Sequence, residues 1–301
     1  TNIEWCDSSV NPTMGCEGCE IWTPEKRWCY AGLQHHSRSG NKGYASIFEI
    51  PEMFEGRMDK AAKWKDLAGT EREGKPWMNG IPRTIFVGDM GDLFSVSIPD
   101  DYIQEVVQKS VSASQHIWIL LTKRPKRMSE MFGSGSCVED CKNLWGMTSV
   151  TNRVSLKRID WLKKSNFHVK GLSVDPLMED IPDIGPHLDG IDWVVVGGMT
   201  GSGAIPVTNM KWIGRVVAAC HNRRVPVFVK QIGAGHFIGD VKGSNEENWP
   251  KDLRVRKMPL QKITPPDGWK FNTTEYYAFK DDWFDQSSPN VLRHGAKIHV
   301  D

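Results

Sequence analysis

Short apolar, β-branched runs recur along this chain with helical or loop stretches between them, and that alternation limits its fold more than any other feature. A weak first candidate at 2–6 is followed by runs at 83–88 (RTIFVG), 116–122 (HIWILLT), 143–148 (NLWGMT), 167–173 (FHVKGLS), 191–198 (IDWVVVGG) and 225–231 (VPVFVKQ). Runs this apolar suit strands buried on both faces, as in a parallel sheet. Helical spacing falls between them at 100–114, 125–132, 153–164 and 209–223. In the last of these Trp212, Val216, Ala219 and Cys220 share one face, and Asn209 can cap the start. The pattern predicts an α/β fold: a partial (β/α) barrel of six to seven parallel strands over 1–235, with an extension at 236–301 packed on it. With 39% hydrophobic residues, the 301-residue chain can fill such a core. The segment 34–82 is too long for an ordinary connection and is expected to be an elaborated first helix or a lid, helical near 50–68. The extension shows weak strand alternation at 253–258 (LRVRKM) and aromatics at Trp249, Trp269, Tyr276, Tyr277, Trp283 and Phe284.

In parallel barrels the chemistry sits where strands end and the following loops begin. One such loop, at 15–30, carries Cys16, Cys19 and Cys29. Three thiolates within fourteen residues can hold a metal centre with one position left free. A tetrahedral zinc site completed by His35 or His36 and a four-iron, four-sulfur cluster with one open iron both satisfy this spacing. The other cysteines fit less specific roles: Cys6 and Cys220 in the core, Cys137 and Cys141 as free or packed thiols.

Charge narrows the choice of partners. Lys and Arg number 38 against 37 Asp and Glu, so no global field draws the chain onto a polyanion. A polyanion would be held locally, by Lys123, Arg124 and Lys230 at strand ends or by the basic stretch 251–257 beside Trp249. Asp175 and Gln231 lie at strand ends as well, and this clustering points to an anionic or strongly polar substrate. No apolar run is long enough to span a bilayer and 1–9 (TNIEWCDSS) does not read as a leader, so a cytoplasmic protein without membrane association is expected.

Further motifs occur in order along the chain: Ile3-Glu4-Trp5, Asn11-Pro12, Gly15-Cys16, Cys29-Tyr30-Ala31, Gly91-Asp92-Leu93-Phe94, and 121–125 (LTKRP) with Arg127-Met128. They continue through 173–177 (SVDPL), 192–198 (DWVVVGG) and 230–233 (KQIG). With the three-cysteine loop they resemble the phage and prophage three-cysteine-motif branch of the radical S-adenosylmethionine superfamily. Three departures stand out: CxxC, nine residues and a third Cys in place of CxxxCxxC; Thr151 in Ser149-Val150-Thr151-Asn152 where the branch commonly has Glu; and Asp175 where it has Glu before Pro-Leu.

The resemblance implies a [4Fe-4S] cluster on Cys16, Cys19 and Cys29, whose open iron chelates S-adenosyl-L-methionine and whose electron cleaves it to a 5′-deoxyadenosyl radical. It implies that Trp28 and Tyr30 shield the sulfurs or stack near the adenine. Asp89 or Asp92 would pair with the amino group, Ser149 and Asn152 would hold ribose or carboxylate, and Gly197 and Gly198 would pass beneath the adenine. Lys123, Arg124, Asp175, Lys230 and Gln231 would form the substrate end. The implied activity is rearrangement or modification of a polar or anionic substrate, such as a modified pyrimidine base in phage DNA or a nucleotide. An external electron donor such as flavodoxin would be needed, in the host cytoplasm for a phage-encoded chain. The rival expectations are a zinc-stabilised, non-catalytic nucleic-acid-binding protein and a metal-independent hydrolase using Asp92 and Asp175 as an acid/base pair.

Overall fold

The computed structural model describes residues 3–38, 40–201, 205–237, 239–240 and 242–271. Its elements are β1 (Ser8–Val10), β2 (Thr13–Met14), α1 (Tyr30–Arg38), β3 (Glu52–Met53), α2 (Arg57–Ala61), β4 (Arg83–Val87), α3 (Asp100–Ser112), β5 (His116–Thr122), α4 (Pro125–Met131) and β6 (Leu144–Ser149). There follow α5 (Lys157–Lys163), β7 (Val169–Val174), α6 (Ile184–His187), β8 (Trp193–Gly197), α7 (Met210–Asn222) and β9 (Val227–Gln231). Seven strands form one curled, half-barrel sheet in the order β1-β4-β5-β6-β7-β8-β9, every pairing parallel, while β2 and β3 make a small antiparallel pair.

Side chains alternate across a strand, so each strand contributes to two cores. Outward, Ile85 and Val87, Trp118 and Leu120, Leu172 and Val174, and Val194 and Val196 pack with helix residues such as Ile103, Val107, Ile213 and Val217. Inward, Phe86, Ile117, Ile119, Trp145, Met147, Val169, Trp193, Val195 and Phe228 fill the concave side. Register lines these up across the sheet: Phe86 faces Ile119, Ile119 faces Trp145, and Trp145 faces Val169. Trp193 meets both Trp5 and Trp145 edge to face at 6.0 Å. A half-barrel leaves this side open, and Trp77, Met258, Leu260, Ile263 and Phe271 close it. Within the described part of the extension Met258, Leu260, Ile263 and Phe271 thus fill the concave core while Trp249 and Leu253 join the outer one, and Trp193 Nε1 donates to Lys257 O at 2.8 Å. Tyr276, Tyr277, Trp283 and Phe284 lie outside the described residues.

Several expectations need correction. The first strand is Ser8–Val10 rather than 2–6, and Cys6 is buried just before it. Ser8 and Ser9 border a cavity, so this edge strand is polar where an apolar run was sought. Helix near 50–68 shrinks to α2, whose Met58 and Ala61 anchor it on the outer core. The stretch 253–258 makes only an isolated bridge, Arg256 to Phe228. Helix α1 falls in a polar stretch whose pattern did not announce it. Asn209 does cap α7, accepting from Lys211 N at 2.9 Å. Among the described residues no helix is long and apolar enough to cross a membrane.

Candidate functional site

Continuing each strand's alternation past its apolar rows brings polar side chains to the carboxyl ends. Lys123 follows Ile117, Ile119 and Leu121 in phase; Ser149 follows Trp145 and Met147; Ser173 and Asp175 follow Val169; Lys230 follows Phe228. All five border one cavity of about 1030 Å³, which Cys16, Cys19 and Cys29 also border.

The cysteine loop reaches this position through a close backbone crossing. Gly15 bridges to Gly91 in the loop after β4, its N–H donating to Met90 O at 3.0 Å. A Cβ on Gly15, whose φ is +94°, would lie 2.7 Å from Phe48 O, and one on Gly91 would lie 2.6 Å from Gly15 O, so neither position has room for a side chain. Cys16 N donates to Phe48 O at 2.7 Å, and Cys29 O starts α1 by accepting from Leu33 N at 2.9 Å. Trp28 and Tyr30 also border the cavity. The Tyr30 hydroxyl donates to Asp89 Oδ2 at 3.5 Å; burial and this carboxylate push its pKa up to about 12. Asp89 Oδ1 accepts from Asn11 Nδ2 at 2.6 Å.

Asp92 is occupied within the protein. Its buried carboxylate accepts from Phe94 N (3.0 Å), Thr122 Oγ1 (2.7 Å), Lys123 N (3.0 Å) and Arg124 Nη1 (3.0 Å). Arg124 in turn donates to Cys16 Sγ at 3.7 Å and to Gly18 O at 3.3 Å. It thus belongs to the cysteine loop rather than to the substrate end. Burial pushes all three thiols above the ordinary cysteine range; Asp92 adds to this at Cys16 with Arg124 opposing, and Lys123 opposes it at Cys19 and Cys29. For Lys123 burial works against the charge, but Cys19, Cys29 and Glu20 more than offset it and hold the ammonium above the usual lysine range. Lys123 Nζ donates to Ser149 Oγ at 3.4 Å.

One clamp escaped sequence reasoning. Arg158 grips Glu20 with both terminal nitrogens, at 2.8 and 2.9 Å, while Thr151 Oγ1 donates to Glu20 Oε1 at 2.6 Å. Burial alone would raise this carboxyl; the Arg158 and Thr151 bonds instead hold it down to about 2. The residue after Cys19 is thereby tied to the β6–α5 connection.

At the far end Lys230 Nζ donates to Asp175 Oδ2 at 2.7 Å and Gln231 Nε2 to Asp175 Oδ1 at 3.0 Å. For Lys230 burial opposes the charge and the Asp175 carboxylate outweighs it, so its pKa is raised. Gly197 and Gly198 leave room for this packing: a Cβ on Gly197 would meet Asp175 Oδ1 and Gln231 Nε2, each at 2.7 Å, and one on Gly198 would meet Ile232 O at 2.2 Å. Asn152 is also reassigned, since its side chain accepts from Ser155 N in a capping box that opens the 3-10 turn Arg153–Leu156.

Three soft thiols border one cavity, each electrostatically coupled to another, with the Lys123 and Arg124 cations opposing the build-up of charge on them. Among the described residues no three His, Cys, Asp or Glu side chains are drawn together as ligands of a single ion. Of the two histidines considered as a fourth zinc ligand, buried His35 bonds through Nε2 to Ala45 O at 2.6 Å, and the His36 ring lies 5.8 Å from that of Trp22. The acid/base pair of the hydrolase reading is likewise occupied, Asp92 by Arg124 and Asp175 by Lys230. In the basic stretch Arg254 donates to Trp249 O and Glu247 O, and the Arg256 guanidinium lies 4.5 Å from the Trp77 ring centre, so neither arginine is set aside for phosphate. Cys137 is exposed, and Cys141 Sγ donates to Cys137 O at 3.2 Å.

No curated protein and no solved structure matches the chain. Residues 1–248, which carry every strand of the half-barrel and the whole of the cysteine loop, match the family described as "Protein of unknown function (DUF5131)", and the chain belongs to that family.

Proposed function

We propose that this chain is a radical S-adenosylmethionine enzyme in which Cys16, Cys19 and Cys29 hold a [4Fe-4S] cluster. The observation that carries the reading is that the three thiols and a polar row of strand-end side chains border one cavity. Its volume of about 1030 Å³ is at the upper end of pockets that enclose one drug-sized ligand, which leaves room for a cofactor beside a small substrate. When bound, the cluster supplies the electron that cleaves S-adenosyl-L-methionine.

The chain's own groups bind and orient. Asp89, half-buried and held by Asn11 and Tyr30, offers a carboxylate for the cofactor's ammonium. Lys123 and Ser149, near the thiols, offer a cation and a hydroxyl for its carboxylate and ribose. Trp28 and Tyr30, on either side of Cys29 in the chain, border the cavity as well. Asp175, Lys230 and Gln231 form the substrate end, where a fixed cation–carboxylate–amide row suits a polar or anionic molecule. We take this to be a modified pyrimidine base in phage DNA or a nucleotide, rearranged by an isomerase-type step, with the electron delivered by an external donor of the flavodoxin class. This substrate assignment rests on the phage resemblance.

Anaerobic reconstitution of the full chain with iron and sulfide tests the proposal. The expected product is brown and carries ~4 iron and ~4 sulfide per chain. A colourless protein that binds one zinc and no iron would overturn the reading.

A further inference from the structure

We infer that Arg124 is a positioning and tuning residue for the cysteine loop: its guanidinium, fixed by Asp92 and bonded to Cys16 Sγ, raises the reduction potential of the centre that the loop holds. The inference rests on the cluster reading above and adds to it a role for one cation.

The guanidinium is not a loose surface charge. Its side chain is 19% exposed and that of Asp92 is 7% exposed. Asp92 is itself immobilised by Phe94 N, Thr122 Oγ1 and Lys123 N, so its bond to Arg124 Nη1 sets where the fork points. Nη1 then reaches Cys16 Sγ at 3.7 Å and Nη2 reaches Gly18 O at 3.3 Å, inside the Cys16–Cys19 turn. Two carboxylates, Asp92 and Glu17, lie beside the guanidinium, the latter at 3.6 Å.

An iron–sulfur centre gains one negative charge on reduction, much of it at sulfur. Hydrogen bonds to the sulfurs and nearby net charge are what set its potential. An N–H donor that also carries positive charge stabilises the reduced form more than the oxidised one. The change is a one-electron uptake from an external low-potential donor, with no bond made or broken in the chain. Removing the guanidinium subtracts this stabilisation and leaves the Asp92 carboxylate beside Cys16 without its cation, so both consequences drive the potential down.

The experiment is an EPR-monitored redox titration of the reconstituted full chain as wild type, Arg124→Gln, Arg124→Lys and Lys126→Gln. Arg124→Gln is expected to lower the reduced-to-oxidised ratio at fixed solution potential by at least about tenfold, ~59 mV for one electron. Arg124→Lys keeps a cation but not the fork, and is expected to shift the same way by less. Lys126→Gln removes an exposed charge two positions on, in the first turn of α4, and is expected to leave the potential unchanged. If Arg124→Gln does not retain its fold, Arg124→Lys carries the test. A potential at or above the wild-type value in the Arg124 variants, with the cluster present, overturns this inference and leaves the cluster reading standing. A shift in Lys126→Gln as large as that of Arg124→Gln also overturns it, because a general charge effect would then suffice. A wild-type chain that takes up no cluster removes both.

Discussion

Replacing any one of Cys16, Cys19 and Cys29 with alanine is expected to abolish stable iron and sulfide binding, while Cys137→Ala retains the wild-type content. The contrast follows from position. The three loop thiols border one cavity and are coupled to one another and to Lys123 and Arg124, whereas Cys137 is exposed and its backbone carbonyl accepts from Cys141. Burial keeps the loop thiols protonated in the free chain, so binding a centre must release protons. The neighbouring cations lessen that cost but cannot supply a missing sulfur. Iron and sulfide assays on the four variants check this, and full iron retention in a loop variant would mean that the ligands lie elsewhere.

Asp7→Ala is expected to cost about 3–5 kcal/mol of folding stability, because it leaves a buried guanidinium without its counter-charge. Asp7 and Arg72 are the most enclosed of the ion pairs among the described residues, with side chains 6% and 8% exposed. Arg72 Nε reaches Asp7 Oδ1 at 3.2 Å and Nη2 also donates to Ile81 O, while Asp7 Oδ2 accepts from Thr84 N at 2.8 Å. The pair therefore joins β1, β4 and the long connection before β4, at the sheet edge from which the cysteine loop departs. Urea denaturation at neutral pH provides the measurement, with Lys126→Ala as an exposed control expected to fall within about 0.5 kcal/mol of wild type. A loss below about 1 kcal/mol for Asp7→Ala would show that the edge strand is held by other contacts.

What could be read in the sequence follows the physics of each element. The six later strands are apolar along both faces because both faces are buried, so 116–122 and 191–198 declared themselves without reference to any partner. The first strand did not: its serines border the cavity, and polarity there reads as loop. Helix α1 was hidden in the same way, its sequence YAGLQHHSR being mostly polar. The cysteines were legible because their spacing is local. The Glu20–Arg158 clamp was not, since its partners are 138 positions apart and only the fold brings them together. The contacts of Arg124 with Asp92 and with the cysteine loop are not legible either, because a strand-end charge looks the same in sequence whether it meets a ligand or a neighbouring loop. Asn152, Gly197 and Gly198 have local work that only the structure displays, a helix cap and close packing.

Reductive cleavage of S-adenosyl-L-methionine tests the central claim most directly. The reconstituted chain, incubated anaerobically with S-adenosyl-L-methionine and a strong reductant, is predicted to release 5′-deoxyadenosine, and Cys16→Ala to release none. A chain that carries its full iron and sulfide yet forms no 5′-deoxyadenosine, or a Cys16→Ala variant that forms it at the wild-type rate, would contradict the account.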